Sequence, residues 1–167
     1  MTALSNLNNL KSIPDINAFT SRANNSYLWR YVMEDHKDEF GATTIKCFYL
    51  REEISEDYVS IYHSNKDYYE GMVRDVHKRI PVGKTKPAIY LSFDAAEVIE
   101  QVNKPDKCID IKDEGYPHLG LWYLFDSNDE FTLIEVTTTI LELSSFFQRN
   151  EGGVVVPLWG RFRLRAK

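Results

Sequence analysis

The stretch AIYLSFDAAEVIEQVN, residues 88–103, changes its periodicity halfway, and that change sets the fold class. Residues 88–93 are a continuous strand-like run. Asp94 and Glu97 then form a capping-box pair, in which the Asp oxygen takes a free backbone N–H and the Glu reaches back to the cap. Val98, Ile99 and Val102 come next at helical spacing, so the strand is expected to lead into a helix reaching about Asn103.

Upstream, Asp67 and Glu70 repeat the capping box and predict a helix over 68–79 with Tyr69, Val73, Val76 and Ile80 on one stripe. Gly71 weakens it by roughly 1 kcal/mol relative to Ala. Pro81 and Gly83 mark its end. Residues 43–51 are dense in β-branched and aromatic side chains and 58–63 alternate, so both read as strands of a hairpin joined by the acidic turn 52–57. Two further helices are expected at 14–22 and 26–39, the second from Tyr27 and Tyr31, with Leu28 and Val32, at a spacing of four.

Downstream, short strands are expected at 108–111, 121–125 and 131–136, the last two forming a second hairpin around the turn formers of 126–129. A helix is expected over 137–148, with Ile140, Leu141, Ser144 and Phe147 at helical spacing, unless the three threonines prolong the strand. Strands at 154–159 and 161–164 flank Gly160 and close the chain. No period, low-complexity tract or linker divides the sequence. The expected architecture is α+β: a single domain over residues 1–167, mostly antiparallel sheet with three to five helices.

Composition agrees with a globular chain: 167 residues, 43% hydrophobic and 13% aromatic. A domain of this length buries roughly 70% of the surface of its unfolded chain and needs neither metal nor disulfide to fold. Cys47 and Cys108 lie far apart inside apolar stretches without metal-ligand or redox spacing, so buried free thiols are expected, with one disulfide as the alternative. The N-terminal residues show no cationic start leading into an apolar run, and the strongest uncharged apolar run, 119–125, is far shorter than the roughly 20 residues that cross a bilayer. A soluble, cytoplasmic protein with no membrane contact is expected.

Charge supplies the strongest functional signal. Residues 106–135 hold eight carboxylates against two lysines and carry net −6, where the whole chain carries −5. Tyr116, Trp122, Tyr123, Phe125 and Phe131 are threaded between them. Acids interleaved with large aromatics suit a surface that meets a cationic partner and excludes water from the contact. The candidate partner-binding residues are Asp110, Asp113, Glu114, Tyr116, Trp122, Asp126, Asp129 and Glu130. The Gly-containing loop with Asp113, Glu114, Tyr116, Pro117 and His118 is expected to lie beside the turn of Asp126, Asp129 and Glu130. In the competing reading, the strand aromatics pack inward and the turn acids simply face water.

Other chemistry is thinly supported. Gly83, Lys84 and Thr85 resemble the end of a phosphate-binding loop, but its first glycine is replaced by Lys78 and the helix precedes the loop. The four histidines have no metal-binding spacing; His63 and His77, with Ser60 or Tyr62 nearby, are the candidate pair for phosphodiester chemistry. The acid pairs Glu52/Glu53 and Glu56/Asp57 read as solvated turn residues, and no calcium-loop pattern occurs. Five basic residues cluster in 74–86, and Arg161, Arg163 and Arg165 share one strand face, where pairing with the chain's own acids is favoured over phosphate binding. No catalytic residue, metal, cofactor, small-molecule ligand or direct nucleic-acid contact is expected.

The size, acidity and missing catalytic motif resemble the immunity proteins of polymorphic toxins, including those of contact-dependent growth inhibition. The likeness is one of general character; it covers no motif and transfers no residue. It implies a non-catalytic inhibitor whose acidic surface covers the Lys- and Arg-lined cleft of a nuclease toxin. Two alternatives stand beside it: a phage or host regulator that binds a large nucleic-acid enzyme, and a small hydrolase or phosphodiesterase built on His63, His77 and the loop around Lys84.

Overall fold

A computed structural model describes residues 26–65, 88–115, 118–149 and 155–158. Seven strands form one sheet: β1 (Ser26–Val32), β2 (Val59–Asn65), β3 (Ala88–Asp94), β4 (Ile109–Asp113), β5 (His118–Tyr123), β6 (Ser145–Arg149) and β7 (Val155–Leu158). Their order is β4-β5-β2-β1-β3-β6-β7 and every neighbouring pair is antiparallel. Two α-helices, α1 (Ala95–Val102) and α2 (Glu130–Glu142), and three short 3-10 turns, Glu34–His36, Ile45–Phe48 and Glu52–Ile54, complete the described elements. The expected α+β class with an antiparallel sheet holds. Among the described residues no helix is long and apolar enough to cross a membrane.

Strand alternation sorts the core. Leu28, Val32, Ile61, Leu91, Phe93, Ile109, Ile111, Leu119, Leu121 and Phe146 share one face and pack with Ala95, Val98, Ile99 and Val102 of α1 and Val136, Ile140 and Leu141 of α2. Across the sheet, Trp29, Tyr90 and Ala88 are buried among Tyr27, Tyr31, Tyr62 and Phe147. Both faces of the central strands are therefore mostly apolar or aromatic, with Arg30 and His63 buried among them. The 88–103 stretch folds as read: Asp94 ends β3 and its Oδ1 accepts from the N–H groups of Ala96 and Glu97.

Several elements differ from their expected form. Residues 26–39 hold strand β1 and a 3-10 turn instead of a helix. A spacing of four is a multiple of two, so Tyr27, Tyr31 and Leu28, Val32 satisfy a strand as well as a helix. The strand expected at 43–51 is a 3-10 turn capped by Thr44 Oγ1, so its hairpin with 58–63 does not form; β2 pairs with β1 and β5 instead. Two carbonyls of that turn are taken by side chains, Cys47 O by Arg30 and Phe48 O by Tyr123. The strand at 131–136 and the helix at 137–148 are replaced by one helix, α2, and then β6. Leu133, Val136, Thr137, Ile140 and Leu141 form its buried stripe, and the Asp126 turn leads into a helix, not a hairpin. The strand expected at 121–125 is displaced to His118–Tyr123. The helices at 14–22 and 68–79 and the strand at 161–164 fall outside the described residues.

The edge strand β4 is closed by side chains. Asn103 Oδ1 accepts from the N–H groups of Cys108 and Ile109, at 2.8 and 2.9 Å, while Asn103 Nδ2 donates to Ile109 O at 3.3 Å. Asp110 Oδ1 accepts from the N–H of Ile111 at 3.0 Å. Side-chain atoms thus take the place that a further strand would fill.

Candidate interaction surface

The acidic segment divides between the two ends of β5. Asp110 faces Trp122 across the β4–β5 ladder, one residue from the C-terminal end of β5, and is almost sealed, with 1% of its surface exposed, while Asp113 and Glu114 lie at the His118 end. The Trp122 ring is half-buried: its Nε1 donates to Glu114 Oε1 at 3.1 Å, the ammonium of Lys112 sits 4.4 Å from its centre, and Tyr58 packs against it at 5.2 Å. Asp113 closes β4. Tyr116 lies outside the described residues.

Just past the C-terminal end of β5 come Asp126, Asp129 and Glu130, all exposed. Asp126 Oδ1 accepts from the backbone and side-chain N–H of Asn128, and Asp129 caps α2 through Thr132 N and Thr132 Oγ1. The Thr132 hydroxyl and N–H hold the Asp129 carboxyl below its usual range. Among the described residues no Lys or Arg forms an ion pair with these three acids. Phe131 stands 78% exposed in the first turn and Leu124 43% exposed before it. The charge of Glu130 also reaches the Tyr49 hydroxyl, which burial first and Glu130 second push above its ordinary value.

The two acidic loops were expected side by side; β5 separates them. Its five residue steps span roughly 17 Å at about 3.3 Å per residue, which parts the backbone of Glu114 from the Asp126–Asp129 turn, while the Glu114 carboxylate reaches along the strand to Trp122 Nε1. The segment looks contiguous only along the chain, because a strand converts sequence proximity into distance.

A second concentration of charge went unread in the sequence. Arg30 lies on the helix-covered face of β1 between Leu28 and Val32, only 6% exposed, and donates through Nε to Cys47 O and through Nη1 to Ser60 O at 2.8 Å. Arg51 donates through Nε, Nη2 and its backbone N–H to Glu56. Burial chiefly lowers the Arg30 pKa. Burial pushes the Glu56 carboxyl up, yet the Arg51 hydrogen bonds prevail and hold it low. His36, buried close by, accepts the Met33 N–H at Nδ1; burial and then the Arg30 charge bring its pKa down to about 4. Both cysteines are free, and burial pushes the Cys47 thiol up to about 12. A strand reading of 26–32 would have revealed the arginine on an apolar face.

The other expected sites fare differently. His63 is buried on the helix-covered face, whereas Ser60 and Tyr62 point to the other, so His63 cannot activate either hydroxyl. His77, the Gly83-Lys84-Thr85 loop, the basic stretch 74–86 and Arg161, Arg163 and Arg165 lie outside the described residues. Glu52, Glu53 and Asp57 are exposed, while Glu56 is engaged by Arg51. Among the described residues no three His, Cys, Asp or Glu side chains are grouped to hold a metal ion. Comparison with protein-family models, curated proteins and solved structures finds no match to the chain.

Proposed function

We propose that this chain is a non-catalytic binding protein of the immunity or antitoxin kind, presenting the N-terminal rim of α2 to the cationic cleft of a nuclease-type toxin. The observation that carries the reading is Phe131, a large apolar side chain 78% exposed directly after Glu130 and the capping carboxylate of Asp129. Exposing a ring on the first turn of a rigid helix has no packing benefit within the chain, whereas at an interface such a ring is an anchor that displaces water. Asp126, Asp129 and Glu130 around it carry no described counter-ion, which leaves their field available to steer a basic partner into contact. Leu124 extends the apolar patch.

The test is affinity capture of the partner from the native lysate, then titration of the purified pair with wild type and with a triple variant, Asp126→Asn, Glu130→Gln, Phe131→Ser. Asp129 stays in place so that the α2 cap is preserved. Wild-type affinity should fall with rising salt, and the variant should bind at least about 100-fold more weakly, the scale of one interface hot spot, with a shallower salt slope. Equal affinity for wild type and variant removes this surface from the function.

A further inference from the structure

We infer that a fork between the two central strands is a binding subsite for a singly charged carboxylate. The β1–β2 ladder runs from Ser26↔Asn65 to Trp29↔Tyr62 and stops, although β1 continues beside β3 to Val32 and β2 begins beside β5 at Val59. The strands part there, and Arg30 fills the base of the fork. A cavity of about 110 Å³ opens on it, lined by Arg30, Tyr31, Met33, Arg51, Ser60 and Tyr62. A water needs roughly 10–15 Å³ of such volume, so the space has ample room for a carboxylate group.

The polar groups are arranged for an anion. Arg30 is more than nine-tenths buried, yet both of its hydrogen-bond partners are neutral carbonyls, and among the described residues none engages Nη2. Arg51 spends Nε and Nη2 on Glu56, while its Nη1 meets only the Met33 thioether at 4.0 Å, a weak acceptor. Each guanidinium therefore has one nitrogen without a strong acceptor among the described residues, and both side chains line the same cavity. Among the described residues Arg30 has no carboxylate in hydrogen-bond contact to offset its desolvation, and Glu56 is the one acid hydrogen-bonded to Arg51. The field of Glu56, Asp35 and Glu53 at Arg51 opposes a multiply charged anion such as phosphate. A carboxylate can accept from both free nitrogens in charge-assisted hydrogen bonds.

The test titrates sodium acetate, N-acetylglycylglycine and sodium phosphate into the full chain at constant ionic strength balanced with sodium chloride, following the arginine Nε–H resonances by NMR. Acetate should shift the Arg30 and Arg51 signals saturably with Kd on the order of millimolar, the reach of a ligand this small, and phosphate should bind more weakly. Tighter binding of the peptide acid than of acetate would assign the slot to a chain terminus; equal or weaker binding assigns it to a small acid. Arg51→Gln, at a side chain 40% exposed, should weaken acetate binding at least tenfold, and Arg30→Gln should abolish it where that variant folds. Shifts no different from the chloride control, or unchanged acetate binding in Arg51→Gln, would overturn the assignment.

Discussion

At position 120 there is no room for a side chain. A Cβ there would lie 2.8 Å from Trp122 Nε1 and 2.9 Å from Tyr58 Cδ2 and Cγ, closer than real contacts allow. Both rings lie across the glycine, which lets them pack together and leaves Trp122 in reach of Glu114 and Lys112. Gly120→Ala is expected to destabilise the fold by about 1–3 kcal/mol, the usual range for overpacking, with a change in tryptophan fluorescence. Urea unfolding of Gly120→Ala, Tyr58→Ala and the double variant checks it: with Tyr58 gone, the added methyl should cost less than it does alone. The same geometry occupies the Trp122 ring and N–H within the chain, through Tyr58, Lys112 and Glu114.

Elements in this fold end on polar side chains that replace missing backbone partners. Asp94 and Asp129 do so at the starts of α1 and α2. Asn103 does the same sideways, taking the outward N–H and C=O of Ile109 at the edge strand β4. Asn103→Ala would leave these groups and the Cys108 N–H unsatisfied, an expected loss of about 1–3 kcal/mol. It would also uncover a strand edge able to pair with another chain. Light scattering and chemical unfolding of the variant should show concentration-dependent association together with the lower stability; a monomeric variant of unchanged stability would refute this role for Asn103.

For the molecule as a whole, acid sensitivity should be set in part by His36. It links the connection between β1 and β2 to itself: the Met33 N–H donates to its ring, and its carbonyl accepts from both the N–H and the hydroxyl of Thr44. Its pKa is depressed to about 4 in the folded chain, against roughly 6.5 when unfolded. The folded state therefore holds this proton less readily, so the contribution is complete above about pH 6.5, declines as pH falls toward 4, and levels off below that. At most about 3 kcal/mol is at stake, given 1.36 kcal/mol per pKa unit. His36→Gln should flatten the loss of stability between pH 7 and pH 5, measured by urea unfolding at each pH; a slope equal to that of wild type would exclude His36 as the group responsible.

The local grammar of the chain was enough for the α+β class, the 88–93 strand, the Asp94-capped helix, the strand at 58–63 and the short strands near 108–111 and 154–159, because periodicity and capping act over a few neighbouring residues. It also marked 126–129 as a boundary, though not the helix beyond it. Tertiary structure alone decided that residues 26–32 form the central strand, since their spacing fits two periods and only pairing on both sides selects one. It decided as well the order of the sheet, the burial of Asp110 and the separation of the two acidic loops by β5. The fork that holds Arg30 belongs to the same class. Each of these depends on which distant segments pair, and strand pairing is a contest among non-local partners that no short window of sequence contains.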